Sequence, residues 1–463
     1  MSKTVNEGSQ AKLGIEPILP LITKMSLPAM FSMLVQALYN VVDSVYVSRL
    51  GEYALSALSI VFPMQLLIVA VAVGAGVGLS SLISRRLGER RIQEAQSAAD
   101  NGLYLAIFHW VLFLVFGIVL SRPFCNLFAE TSQVLEASTS YCTICLTGSL
   151  FTIIACSFEK IMQAGGNMMA PMWAMTAGAV TNIILDPIMI FGLLGCPAFG
   201  VAGAAYATVA GQFISFIIDI IFMNKAKNLP VRVRFKLEKP NWKSIKNIYQ
   251  VGLPSMIMQA IGSVLTLCMN AILATFSETA IAVYGVYFKL QSFVFMPVFG
   301  MNNGLMPILG YNFGAKNKDR FMQTYKYGTL IAFVIMSIGC AIFHIFPAQL
   351  MGLFKAEGDL LTVGIKCLST ISWCFPIAAI CIIMGTAFQS TGHGFYSMIV
   401  SIMRQLVVII PLAYLFSKIW GLMGIWTAFP IAEGMSLAVS VICFMKLYKT
   451  EIKPMDKKEK SEL

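Results

Sequence analysis

One apolar stretch of this chain contains polar side chains at a spacing that can bind a cation. Asp186 lies inside the run 181–190, and Asn182 lies four residues earlier, on the same face of a helix. Pro187 cannot donate to the helix ladder and leaves the carbonyl of Ile183 without its usual donor. Carboxylates inside spanning helices are costly and tend to mark ion or proton routes. The stretch therefore predicts a cation site; the alternative is a protonated Asp186 bonded to a neighbouring helix.

A second carboxylate can join this site. Asp43 follows Lys24 in the first apolar span, and Asp186 follows Met168 at nearly the same spacing in the fifth. At about 1.5 Å per residue, both carboxylates lie roughly 27–29 Å from the same membrane face. Two carboxylates in a low-dielectric cavity can share a proton near neutral pH, and with the Asn182 amide they also suit a hard cation such as Na⁺. The alternative is an Asp43 that faces extracellular water.

Glu159 is a separate feature. It lies seven residues before the turn at Gly166, near the opposite end of its span. If the helices are straight, it lies on the order of 20 Å in depth from Asp186. The alternative is a solvated ion pair between Glu159 and the adjacent Lys160 at the helix end.

Composition indicates a membrane protein. Hydrophobic residues make up 57% of the 463 residues and charged residues 12%, with a mean hydropathy of +0.77. The 11 cysteines lie mostly in apolar runs without metal-ligand spacing, so we expect no disulfide framework, no zinc and no cofactor beyond a coupling ion. The net charge of +11 is confined to certain loops, which argues against a nucleic-acid partner. The polar segment 1–16 and the long first apolar run predict no cleavable signal peptide.

The apolar runs predict an all-α polytopic protein with twelve transmembrane helices. Basic loops stay cytoplasmic, and they alternate along the chain with loops that carry isolated charges, so both termini are predicted to be cytoplasmic. The predicted spans are 18–46, 53–80, 97–120, 134–160, 168–192, 200–223, 250–276, 279–306, 323–346, 359–385, 394–416 and 421–446.

The chain divides into two related halves. A basic connector at 224–249 separates an N-terminal lobe, 1–223, from a C-terminal lobe, 250–446, and a basic cytoplasmic tail follows at 447–463. When the first lobe is shifted along the chain onto the second, glycines, prolines and polar residues of the two lobes superimpose. These pairs include Pro28 with Pro254, Gln65 with Gln291, Gly74 with Gly300, Gly78 with Gly304, and Gly88 with Gly314. We therefore predict two six-helix bundles related by a pseudo-twofold axis along the membrane normal, with a substrate path between them.

The predicted site has no counterpart in the second lobe. The same shift places Met269, Val408 and Leu412 at the positions of Asp43, Asn182 and Asp186. The second lobe instead carries Lys289 and Arg404 inside apolar spans. These side chains would repel a cationic substrate or hold the bundle together by pairing, as Arg404 could with Glu433; the alternative is that they snorkel to an interface.

The chain has 28 methionines and 32 phenylalanines, which favours a flexible apolar cavity for varied amphiphilic ligands, although most such side chains face lipid or fill helix contacts. The candidate substrate-binding residues lie on the first and seventh spans, which the repeat pairs. They are Gln36, Tyr39, Asn40, Met256 and Gln259.

Several motifs together resemble the multidrug and toxic compound extrusion (MATE) family, most closely its MepA-like bacterial branch. The resemblance covers nearly the whole chain. Its motifs are Ser26-Leu27-Pro28, Asp43, Leu50-Gly51, Gly78 through Gly88, Asn182-Ile183-Ile184-Leu185-Asp186-Pro187 and Gly200-Val201-Ala202-Gly203-Ala204-Ala205.

The resemblance implies a cation-coupled antiporter of a bacterial inner membrane that exports amphiphilic, often cationic drugs by alternating access between the two lobes. We expect the chain to work as a monomer. The resemblance also implies a first-lobe cation site at Asp43, Asn182 and Asp186, with Thr208 matching a sixth-helix threonine of some members. Pro28 matches a first-helix proline whose bending accompanies protonation in one proposed mechanism, and Glu159 matches a fourth-helix acid of some relatives. Second-lobe acids that another branch uses for sodium are missing here.

Three other classes of protein are compatible with parts of the sequence. A lipid-linked oligosaccharide flippase of the same superfamily is expected to have a more cationic central cavity, which Lys289 and Arg404 would favour. A major-facilitator carrier also has six plus six spans, but its second-to-third loop motif requires an Asp where this chain has Arg85. An intramembrane enzyme is disfavoured because no HExxH or GxSxG motif is present.

Overall fold

The computed structural model describes residues 12–225, 229–234 and 240–455, with only the backbone described at 40, 41, 44 and 48. Within these residues the chain is helical and contains no strand. Twelve helices are long and apolar enough to cross a membrane. They are α1 Ile18–Ser48, α2 Glu52–Gly88, α3 Ile92–Asn126, α4 Ser132–Ala164, α5 Met169–Phe191, α6 Val201–Lys225, α7 Trp242–Ala274, α8 Glu278–Gly314, α9 Lys318–Ile345, α10 Gly358–Ser390, α11 Gly394–Trp420 and α12 Leu422–Ile452.

All twelve predicted spans are confirmed, but several helices are longer than their apolar runs. The extension is largest at the end of the molecule where α2, α4 and α8 finish, which we call the basic end because the Lys- and Arg-rich loops lie there. There α2 continues through Arg85 and Arg86. Likewise α7 begins at Trp242, where the Asn241 side chain accepts the backbone N–H groups of Lys243 and Ser244.

The described part of the connector is hydrogen-bonded to side chains of α3. The backbone N–H of Arg232 donates to Gln96 Oε1 at 3.1 Å, and that of Arg234 donates to Asp100 Oδ1 at 2.8 Å. The apolar side chains of this segment are buried in the first lobe's core; they are Leu229, Val231 and Val233. Four of the predicted connector's charged residues lie outside the described residues, namely Lys227, Lys236, Glu238 and Lys239, as does the tail after 455.

The apolar core consists of two clusters that largely follow the two halves of the sequence, and helix α1 contributes to both. One cluster extends from Val47 to Ile248, and the other occupies mainly 265–455. The basic end of α1, including Leu21 and Met25, packs into the second cluster, whereas Val47 near its other end packs into the first. Helix α1 therefore crosses from one half of the molecule to the other.

The interface between the halves is reciprocal. Helix α1 packs on α8, and its repeat counterpart α7 packs on α2. A Cβ added at Gly74 would lie 2.6 Å from the Met256 backbone nitrogen, and one added at Gly300 would lie 2.6 Å from Met30 Cα. The internal repeat maps one of these contacts onto the other. The predicted fold, two six-helix bundles related by a pseudo-twofold axis, is confirmed.

The halves are closely packed at the basic end. Gly88 lies against the carbonyl of Tyr311, and Gly314 lies against the carbonyl of Arg85, with no room for a side chain at either glycine. In the same region Ser81 Oγ donates to the backbone carbonyl of Gln389 at 2.5 Å. Any opening between the halves at this end must separate these contacts.

The two buried cations expected in the second lobe have different environments. Arg404 Nη1 pairs with Glu433 Oε2 at 3.3 Å, so the predicted pairing is observed. Glu433 is buried, and its loss would leave a buried guanidinium without its counter-ion. Lys289 is exposed on α8.

Two glycines of α8 provide a test of the close packing. We expect Gly314→Ala to lower the free energy of unfolding by roughly 1–3 kcal/mol, because the new methyl group overlaps the Arg85 backbone. The matched control is Gly285→Ala, since a Cβ there meets nothing within 4 Å and helix propensity alone favours alanine by roughly 1 kcal/mol. Thermal unfolding in detergent should show shifts of opposite sign. Equal shifts would contradict this account of the interface.

Candidate functional site

Helix α5 carries the two polar side chains from which the site is built. The Asn167 side chain accepts the backbone N–H of Ala170 at the start of α5, and Gly192, with φ 74°, ends the helix. Asn182 and Asp186 lie one turn apart on its buried face, with 3% and 0% of their surfaces exposed. Asp186 lies five residues before Phe191, about 8 Å from the end of α5 that is opposite the basic end.

Helix α6 supplies the hydroxyl group that completes the Asn182 contacts. In the amide orientation that satisfies both neighbours, Asn182 Nδ2 donates to Asp186 Oδ2 at 3.0 Å, and its oxygen accepts from Thr208 Oγ1 at 3.3 Å. The two helices approach closely because Gly211 of α6 lies against the Gly178 carbonyl of α5. The predicted neighbours Asn182, Asp186 and Thr208 are thus brought together.

Helix α1 brings a second carboxyl group to the same place. Asp43 lies five residues before the end of α1, and its carboxyl group is in hydrogen-bond contact with that of Asp186. Its Oδ1 is buried and has no hydrogen-bond partner within the described part of the chain. Tyr39, one turn earlier, contacts Thr208 through its hydroxyl group. Tyr39, predicted as a substrate contact, therefore lies in the acidic site itself.

Residues of α2 and α4 form the wall of this site. Tyr141 is 1% exposed and lies near Asp43 and Tyr39. Its hydroxyl oxygen accepts a hydrogen bond from Gln65 Nε2 at 2.8 Å, and Cys145 lies within 4.0 Å of the same nitrogen. Sequence reasoning missed Tyr141 as a site residue, and it used Gln65 only as evidence for the repeat.

The arrangement fits a monovalent cation or a proton. Two carboxyl groups can form a hydrogen bond with each other only when one of them is protonated, because two carboxylates have no donor between them. When both are ionised, they need a cation, and carboxylate and hydroxyl oxygens are ligands that hard cations prefer. The Asn182 amide adds its oxygen to such a site only after rotating, because its Nδ2 faces Asp186. In the described residues no group of three His, Cys, Asp or Glu side chains could hold a metal ion.

Both prolines assigned to coupling lie inside helices. Pro28 is the eleventh residue of α1, so it is not an N-terminal proline of that helix. It is buried, and the segment around it packs on Gly300 and Gly304 of α8. Pro187 lies in α5 immediately after Asp186 and leaves the Ile183 carbonyl without its ladder donor.

Glu159 lies near the basic end of α4, apart from the first acidic pair, as predicted. No ion pair joins Glu159 to Lys160 within the described residues. Lys160 is instead buried, and its Nζ donates to Asn303 Oδ1 of α8 at 2.8 Å and to Gln163 Oε1 at 3.1 Å. The acid that interacts with Glu159 is Asp219 of α6, which sequence reasoning missed.

The remaining substrate candidates do not form one cluster. Met256 is buried against Gly74 in the interface between the halves, whereas Gln259 is exposed. Gln36 is half-buried on α1. The side chain of Asn40 lies outside the described residues. The assignment of these residues to substrate binding stays a prediction.

Twelve membrane-crossing helices in two repeated halves define a multi-pass membrane protein of the transporter class. The chain belongs to the MatE family, because the family model matches it twice, at residues 28–188 and at 254–415. The two matches fall one in each half, and they begin at Pro28 and Pro254, which the internal repeat aligns with each other.

Individual relatives match over nearly their whole length. The multidrug export protein MepA of Staphylococcus aureus (strain MSSA476) is 27% identical over 438 residues, covering 93% of this chain and 94% of the relative. A solved outward-facing structure of a multidrug resistance MATE family transporter of the MOP superfamily has a TM-score of 0.88 and 28% identity, covering 97% and 99% of the two chains. A MOP superfamily transporter from Pyrococcus furiosus, described as having a binding pocket of reverse polarity, has a TM-score of 0.87 and 26% identity, covering 96% and 98%.

The Thr208 hydroxyl group can be tested for its part in holding the site together. We expect Thr208→Val to lower the free energy of unfolding by about 1–2 kcal/mol, since Asn182 and Tyr39 each lose a hydrogen bond to the hydroxyl group, while the Thr208 backbone N–H still donates to the Asn182 oxygen. The control is Thr362→Val, because Thr362 is exposed and, among the described residues, its hydroxyl group bonds only to the Gly358 carbonyl of its own helix. Thermal unfolding of both variants measures the difference, and an unchanged Thr208→Val midpoint would remove Thr208 from the site.

Proposed function

We propose that this protein is a cation-coupled antiporter, driven by H⁺ or Na⁺, that exports amphiphilic, often cationic drugs by alternating access. The observation that carries the proposal is the contact between the Asp43 and Asp186 carboxyl groups inside a membrane-spanning bundle. Asn182 and Thr208 complete the proposed cation site. The site needs no cofactor other than the coupling ion.

Helix α1 gives the proposed site a physical connection to the other half. Asp43 lies at the end of α1 that packs in the first half, whereas the segment around Pro28 packs on Gly300 and Gly304 of α8. A cation that pulls Asp43 toward Asp186 therefore acts on a helix that both halves hold. Pro28 and Pro187 are the positions where α1 and α5 lack ladder hydrogen bonds and can bend at lower cost.

Coupling requires the cation to bind one conformation more tightly than the other. The halves are in contact at the basic end, and the acidic pair lies near the opposite end. In our proposal the cation enters from that opposite end, stabilises one arrangement of the first half and lowers its affinity for bound drug, which leaves outward. Glu159, near the basic end, is assigned to coupling or gating rather than to this first site.

Membrane placement follows from the distribution of charge. The basic end carries the Lys- and Arg-rich loops, so we propose that it faces the cytoplasm of a bacterial inner membrane, with both termini on that side. The small amphiphilic substrates are proposed from the MepA relative, which is named a multidrug export protein. The chain is proposed to work as a monomer, because the two halves already form their own interface.

A lipid-linked oligosaccharide flippase is the second candidate. A flippase is expected to have a more cationic central cavity, and in the sequence this expectation rests on Lys289 and Arg404. Because Arg404 pairs with Glu433, only Lys289 of the two is left without a carboxylate among the described residues. This pairing favours the antiporter over the flippase.

Liposome flux of a fluorescent cationic dye tests the proposal. We expect a pH gradient or a sodium gradient, imposed separately, to drive dye movement in protein-containing liposomes. Asp186→Asn and Asp43→Asn should reduce that movement to the rate seen without a gradient, because the amide cannot carry the charge that the cation neutralises. The control is Asp359→Asn, the same chemical change at an exposed position at the start of α10. Dye or lipid movement that needs no gradient and survives Asp186→Asn would favour the flippase.

A further inference from the structure

A second acidic pair lies in the same half of the molecule, near the basic end. Glu159 is five residues before the end of α4, and Asp219 is six residues before the end of α6. The two carboxyl groups are close enough to repel each other when both are charged. They belong to helices that pack closely along their lengths.

Asp219 is unusual because it is fully buried and unsatisfied. Its exposed fraction is 0%, and neither carboxylate oxygen has a hydrogen-bond partner within the described part of the chain. A charged carboxylate in that position would lose its hydration without any compensating donor, which is among the most costly arrangements in a protein. A carboxyl group that holds a proton avoids most of this cost.

The charged and titratable groups that interact with the pair come from α4. They are Lys160 and Cys156, and each of these two side chains interacts electrostatically with Glu159. The α2 residues packed here are Ala72 and Gly76, which cannot titrate; Ala72 accepts from Cys156 Sγ through its carbonyl oxygen. With Glu159 and Lys160 both charged, the group of three is neutral only when Asp219 carries a proton.

Helix α6 links the two acidic pairs. Thr208, at the first pair, and Asp219 are about three helical turns apart, so they lie on the same face of α6 and roughly 16 Å apart along its axis. Both side chains are buried in the first half. The first half therefore holds one acidic pair near each end of the membrane-spanning region.

We propose that Glu159 and Asp219 form a second proton-binding site, which holds one proton on Asp219 and exchanges it with the solution at the basic end. The proton binds to a carboxylate oxygen of Asp219, and its release leaves one uncompensated negative charge beside Glu159. Proton binding at Asp219 can occur whether or not the protein is an antiporter. Only the assignment of this proton to an export cycle rests on the proposed function.

The release of this proton would act on the contact between the halves. Lys160 Nζ donates to Asn303 of α8, which belongs to the second half. An added negative charge at Asp219 repels the Glu159 carboxylate, and the Glu159 charge in turn acts on the Lys160 ammonium group. The second site therefore links protonation to a hydrogen bond that joins the halves near the basic end.

Infrared spectroscopy of the purified full-length protein can detect the proton directly. The measurement is made in the Asp43→Asn/Asp186→Asn background, so that the first pair contributes no carboxylic acid signal. At neutral pH, in sodium-free buffer, we expect this background to retain a carboxylic acid C=O band that a further Asp219→Asn change removes, a loss of one protonated carboxyl group per protein. The control change Asp359→Asn should leave the band in place.

A third change tests the role of Glu159. Glu159→Gln removes the negative charge that opposes ionisation of Asp219, so the band should disappear at a lower pH than in the background. If Asp219→Asn does not give a monodisperse protein, this shift tests the proposal in a chain that retains Asp219. The proposal is overturned by a band that Asp219→Asn leaves unchanged, by a titration that Glu159→Gln does not move, or by a band that sodium removes at constant pH.

Discussion

The structure depends on the cost of placing carboxyl groups inside a membrane bundle. Asp43 and Asp186 come from helices that are far apart in sequence, and each would be costly alone in a low-dielectric environment. In contact, they can share a proton or hold a cation, and Asn182, itself held by Thr208, donates to one oxygen of Asp186. A pair of carboxyl groups whose repulsion a proton or a cation relieves is suited to sense that species, because its release changes the energy of the surrounding helices.

Helix α1 connects the acidic pair to both halves, so it determines which helices respond when the pair gains or loses a proton or cation. Its two ends lie in different apolar cores, so it cannot move with one half without altering its contacts with the other. The Pro28 segment packs on α8 through Gly300 and Gly304, where backbones approach without intervening side chains. Such backbone contacts leave little space for gradual adjustment, and packed interfaces of this kind tend to change between discrete arrangements.

The fold could be predicted from the sequence because each membrane-spanning helix contains an apolar run long enough to cross a bilayer. The helix ends were less predictable, since α2 continues through Arg85 and Arg86 beyond the apolar run that marks its span. The depth argument correctly placed Asp43 and Asp186 at the same level, because depth depends only on helix rise.

Other features of the site could not be read from the sequence. Tyr141 and Gln65 lie at the site only because α4 packs on α2, and the spacing of residues along the chain does not reveal that packing. Asp219 lies a few residues before the basic connector, where an acid would be expected to face water at the end of a helix. Its burial results from the close packing of α6 on α4, so its environment became visible only in three dimensions.

The reciprocal glycine contacts have a consequence for the origin of the chain. Gly74 meets Met256 while Gly300 meets Met30, and Gly88 meets Tyr311 while Gly314 meets Arg85. When residue i touches residue j and the equivalent of j touches the equivalent of i, the interface has the form of an isologous dimer. A single six-helix ancestor could have formed these contacts with a second copy of itself. Fusion of two such genes would then have allowed one copy to keep the acids and the other to lose them.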